Sequence, residues 1–143
     1  NQFVNEGIEL LGETLHIKDV TVPICAVTCE TDHIARWKDC YRGFQQTKSR
    51  NRTFIVSESG HIAGIVNPPS KKKYGHYTNK DMKLDAKDWL EKAEFTEGTW
   101  WPRWDTWLSA QSGKMVPARE PGDSEHPVLE DAPGSYVKVP AKT

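Results

Sequence analysis

Two apolar runs limit what this chain can fold into: Val22-Pro-Ile-Cys-Ala-Val-Thr-Cys29 and Thr53-Phe-Ile-Val-Ser57. Both are rich in β-branched residues and neither alternates polar with apolar, the pattern of neighbouring strands covered on both faces of a parallel sheet. Between them Ile34, Trp37, Tyr41 and Phe44 recur at steps of three and four, which lays one apolar stripe along a helix starting soon after Asp32. The unit reads strand, helix, strand. A parallel pair needs a crossover of this length, and such crossovers are almost always right-handed. Asp32 then falls just past the carboxyl end of the first strand and His61 just past the end of the second, on the rim where open α/β sheets bind ligands.

The remaining elements are arranged around that unit. Gly7 to Asp19 reads as a short hairpin, with Ile8, Leu10 and Leu11 on one arm, Leu15 and Ile17 on the other, and Gly12-Glu13 as the turn. Lys48 to Arg52 is a solvated turn. Gly60 lets the backbone bend before His61, and the small and stiff residues from Ala63 to Pro69 suit a tight loop or short helix behind it. Ser70 to Lys80 is polar and reads as an exposed loop. Asp85 caps a second helix, with Asp88 three residues on and Leu84 with Trp89 as a staple, ending near Phe95. A third follows Gly98, with Trp100, Trp101, Trp104, Trp107 and Leu108 on one aromatic side and Pro102 in its first turn. The expected organisation is therefore α/β over residues 1–112, then a proline-rich extended tail over 113–143, ordered only where Val128, Leu129, Tyr136 and Val137 find a groove.

A formal charge of -1 argues against nucleic acid as the main partner, and no apolar run is long enough to span a membrane. Three cysteines leave at least one unpaired, which favours a reducing compartment. Cys25 and Cys29 share one face of a strand but sit roughly 13 Å apart at about 3.3 Å per residue, too far for a disulfide. They read as core residues, and Cys40 as half-buried beside the stripe. Cys29 ends a strand, yet Thr28 and Glu30 flank it where a nucleophile elbow needs small residues.

Spacing alone leaves two readings of Asp32 and His61 open: a satisfied polar pair at a sheet edge, or the last two members of a nucleophile, acid, histidine triad in α/β-hydrolase order. The motifs are more specific. Glu30-Thr-Asp-His-Ile-Ala-Arg-Trp37, Ser57-Glu-Ser-Gly-His-Ile-Ala-Gly-Ile-Val-Asn-Pro-Pro69, Gly98-Thr-Trp-Trp-Pro-Arg-Trp104 and Ala132-Pro-Gly-Ser-Tyr-Val-Lys138 together resemble the carboxy-terminal part of class I polyhydroxyalkanoate synthases. The resemblance covers almost the whole chain. It implies the carboxy-terminal portion of an α/β-hydrolase-like fold, with Asp32 and His61 as triad members. It also implies an acyltransferase parent whose nucleophilic cysteine lies in a Gly-x-Cys-x-Gly box that this chain lacks. The implied substrates are a 3-hydroxyacyl coenzyme A thioester and the growing polyester. No cofactor or metal is expected, the parent is expected to be a homo-oligomer, and its place is the cytoplasm at the polyester granule surface. The chain opens at Asn1, as a piece cut from a longer protein would, and is expected to be inert alone.

Other features carry weaker readings. His33, with His61 and His16, suggests a metal, but neighbouring residues on a strand end point in opposite directions and no helical His-x-x-x-His pattern supports it. Lys71, Lys72 and Lys73 suit either coenzyme A phosphates or a wet loop. The six tryptophans suit a core first, then a polymer-binding or subunit surface. A piece separated from its parent is also expected to expose a strand edge and self-associate. The rivals to a synthase are an esterase or depolymerase with an upstream serine, and a non-catalytic module that binds granules or a synthase.

Overall fold

The first elements are short and local. A helical turn, α1 (Gln2–Asn5), precedes a hairpin of β1 (Ile8–Leu10) and β2 (Glu13–Leu15). Leu10 pairs with Glu13, so the turn is Leu11-Gly12, one residue earlier than its composition suggests. Both residues have positive φ, 52° and 84°, as a two-residue turn matched to strand twist requires. A leucine in that conformation is what hides the turn. A 3₁₀ turn, Ile17–Asp19, then leads toward the sheet.

The computed structural model describes residues 1–141, divided into a unit Asn1–Ser112 and a second unit from Gly113 onward. In the first unit β3 (Ile24–Cys29), α2 (Trp37–Gln45) and β4 (Arg52–Ser57) form the expected strand, helix, strand. The two strands pair in parallel from Ile24 with Arg52 to Cys29 with Ser57. The helix starts later than the stripe implies. Asp32 Oδ1 accepts the amides of Ile34 and Ala35, a local turn that competes with helix and leaves Ile34 exposed.

The sheet continues beyond β4, which corrects two expectations. The polar stretch before Lys80 contains β5 (His76–Thr78), where His76 and Thr78 are buried. The second helix, α3 (Ala86–Glu91), stops short of Phe95, which lies instead in β6 (Glu94–Thr96). Both strands run antiparallel to their neighbours, in the order β3-β4-β5-β6, and are too short to carry an alternating pattern. The result is a mixed sheet with helices. β3 is one of its two edges, and Ile24 to Val27 are only partly buried, so this strand is not covered on both sides as its composition suggests.

Aromatic side chains fill the space between sheet and helices. Trp37, Tyr41 and Phe44 of α2 meet Phe54 and Val56 of β4 and Ala86 and Trp89 of α3. Trp89 is wholly buried, its ring 5.4 Å from Tyr41 and 5.5 Å from Phe54, the latter edge-on. Asp85 caps α3 by accepting the Asp88 amide at 2.9 Å. Gln45 donates to the carbonyls of Met82 and Leu84, both at 2.9 Å, and so ties α2 to the segment before α3.

The last helix, α4 (Trp101–Gln111), carries Pro102 in its first turn. In the second unit the only regular element among the described residues is a 3₁₀ turn, Tyr136–Lys138. Val128, Leu129, Tyr136 and Val137 are all exposed.

Trp89→Ala removes the centre of this cluster and should cost about 3–5 kcal/mol in urea unfolding. Trp104→Ala, on the exposed side of α4, should cost less than about 1 kcal/mol.

Candidate active site

Parallel pairing carries the two chain segments off the sheet together. Past the ends of β3 and β4 the Glu30 amide donates to the Ser57 carbonyl at 2.8 Å, and the Thr31 amide to that of Ser59 at 3.1 Å. Asp32 and His61 follow directly. The Asp32 Oδ1 that accepts the Ile34 and Ala35 amides, at 2.8 and 3.0 Å, lies 3.5 Å from His61 Nδ1. That is an ion-pair separation, longer than a formed hydrogen bond. The carboxylate is 8% exposed and the imidazole 41%, so a shielded acid sits beneath a reachable ring. With Nδ1 toward the acid, Nε2 is the nitrogen turned away from it.

Burial pushes the Asp32 carboxyl up, but the two amides, then His61 and His33, outweigh burial and hold it below the ordinary carboxylate range. Asp32 is therefore charged at neutral pH. The His33 ring lies 5.9 Å from that of His61, tilted by 56°. His16, its other suggested partner, packs instead beside Gly7 and Thr14 of the hairpin. Asp32 and His33 border a depression of about 460 Å³ that also takes in Arg36, Trp37 and Arg42.

Several bonds hold the loop behind the histidine. The amides of Gly64 and Val66 reach back four residues to the carbonyls of Gly60 and Ile62, at 2.8 Å each. Ser57 Oγ and the indole of Trp100 both donate to the Gly64 carbonyl, at 3.0 and 2.9 Å, and the Trp101 indole donates to that of Ile65 at 3.0 Å. Core is the expectation for the tryptophans, and this clamp is a further role that their sequence does not show. Their partners are 36 residues away and are backbone atoms, which leave no trace in side-chain identity. Asn67, also buried, donates to the Lys73 and Tyr74 carbonyls, and Lys73 lies 4.7 Å over the Tyr74 ring.

The cysteines are all free. Cys29, nearest the site in sequence, is 1% exposed, and burial, helped by the Asp32 charge, pushes its thiol up to about 11. A nucleophile needs the opposite shift.

No family model matches the chain. Curated relatives match it almost from end to end. The poly(3-hydroxyalkanoate) polymerase subunit PhaC of Rhizobium etli is 40% identical over 137 residues, 96% of this chain. That of Rhizobium meliloti is 41% identical over 141 residues, and that of Cupriavidus necator 35% over 136, or 99% and 94% of this chain. The chain belongs to the poly(3-hydroxyalkanoate) polymerase family. It spans 21% of the length of the first of these polymerases and 23% of each of the others. No helix among its described residues is long and apolar enough to cross a membrane.

In this chain Gly64 meets the tightest constraint in the histidine loop. An added Cβ would lie 2.6 Å from both Cys29 Sγ and the Glu58 carbonyl oxygen. Gly64→Ala should therefore displace the loop, and the His61 ring signals in NMR should move or broaden. Gly43→Ala, where a Cβ meets nothing within 4 Å, should leave them in place.

Proposed function

We propose that this chain is the carboxy-terminal part of a polyhydroxyalkanoate synthase, within an α/β-hydrolase-like catalytic domain, and that it supplies the acid and histidine of the triad. The observation that carries this reading is the meeting of Asp32 and His61 at the ends of two parallel strands, 3.5 Å apart, in a chain whose relatives are polymerases. The parent joins (R)-3-hydroxyacyl units from coenzyme A into a polyester and releases the free coenzyme.

Each group has a defined task. A cysteine thiol from the upstream part of the parent gives its proton to His61 Nε2, and the thiolate attacks the thioester carbonyl. The carbon–sulfur bond to coenzyme A breaks, and the departing thiolate takes the proton back from His61. The 3-hydroxyl of the next unit then loses its proton to the same ring and attacks the acyl-cysteine, so that one ester bond forms, one thioester bond breaks, and the released cysteine thiolate takes that proton from His61. Asp32 holds the imidazole in one tautomer and stabilises its charged form. Acyl transfer of this kind is a pair of proton-assisted substitutions and requires neither a redox cofactor nor a metal. The partners are the thioester, the growing chain, further copies of the parent and the granule surface.

In the full-length polymerase, His61→Ala should abolish acylation by 3-hydroxybutyryl coenzyme A, read as acyl-enzyme in a single turnover. Asp32→Asn should lower turnover about 10²–10⁴-fold. Undiminished rates in either variant would remove the assignment.

A further inference from the structure

At the opposite end of β4 from His61, a cavity of about 290 Å³ lies among the first residues of β4, the end of β5 and α4. Arg52 to Ser57 spans roughly 17 Å at about 3.3 Å per residue, so this cavity is well removed from the Asp32–His61 rim. Arg52, Lys80, Lys92 and Arg103 all line it, against one carboxylate, Glu94. Its wall continues through Thr53 and Arg103 into a shallower depression bordered by Trp107.

The charge there is largely uncompensated. Lys92 pairs with Asp88 at 3.3 Å, but among the described residues the Arg52 guanidinium donates only to the Gln45 and Thr47 carbonyls, which orient it without cancelling its charge. Lys80 and Arg103 sit in no ion pair among the described residues. The buried Trp107 indole N–H has no acceptor among the described residues. Lysine, arginine and indole nitrogens donate and never accept, so the surroundings ask for an anion rich in acceptor oxygens. A volume near the lower end of small-molecule sites leaves room for a phosphate on a small body.

We propose that this cavity binds a phosphate-bearing small molecule, with Arg103 and Lys80 as its principal contacts and Arg52 and Thr53 beside them. This site is independent of the triad: it requires neither Asp32 nor His61, and it stands or falls apart from the polymerase reading.

The test is an NMR titration of the ¹⁵N-labelled chain with inorganic pyrophosphate at constant ionic strength, reading the Trp107 indole signal, assigned through Trp107→Phe. The expected result is a saturating shift. Arg103→Gln and Lys80→Gln should each weaken binding at least fivefold, Arg103→Lys should weaken it less than Arg103→Gln, and Lys18→Gln, on the 3₁₀ turn after the hairpin, should change it less than twofold. The Arg103, Lys80 and Lys18 side chains are exposed, and retained amide dispersion verifies the fold of each variant. A shift that grows linearly without saturation, or one that Lys18→Gln weakens as much as Arg103→Gln does, would overturn the proposal.

Discussion

The parallel pairing of β3 with β4 is the contact on which the rest depends. Six residue pairs fix the register, and since a slip of one residue would turn every side chain to the other face, the burial of Phe54 and Val56 against the aromatic core fixes it too. Two further backbone bonds extend the ladder beyond the strands, through Glu30 and Thr31. The acid and the histidine, 29 positions apart in sequence, are thereby delivered to one rim. α2 serves this pairing as its crossover, and its buried stripe is the weight that keeps it on the sheet.

The second half of the fold acts chiefly on the histidine. β5 pairs with β4 and anchors the return of the loop, with the Gly75 amide donating to the Glu58 carboxylate and the Glu58 amide to the Gly75 carbonyl. α4 contributes two indoles that hold the loop carbonyls at Gly64 and Ile65. Ser59, just before the turn, takes a positive φ of 74°, a conformation costly for a residue with a Cβ, sustained by the bonds around it. The position of the histidine loop is thus set by groups remote from it in sequence.

Legibility in the sequence followed the length of each element. The six-residue strands, the stripe Trp37, Tyr41, Phe44 and the Asp85 cap could all be read, because each repeats a pattern or names its partner nearby. β5 and β6 could not, since three residues pinned by neighbouring strands show no period, and His76 and Thr78 look solvent-loving until the sheet covers them. Ile34 misled because a local Asp32 turn outcompeted the helix that its spacing implied. The meeting of Asp32 with His61 followed from strand order, whereas the indole clamp and the basic cavity depend on contacts across the fold.

The electrostatic link between the two rim groups is open to direct measurement. The Asp32 carboxyl can be titrated by ¹³C NMR in the wild-type chain and in His61→Ala. The account predicts a wild-type midpoint below the ordinary carboxylate value that rises when the imidazole is removed, because that ring favours the ionised acid. An Asp32 midpoint that is identical in the two proteins would contradict it.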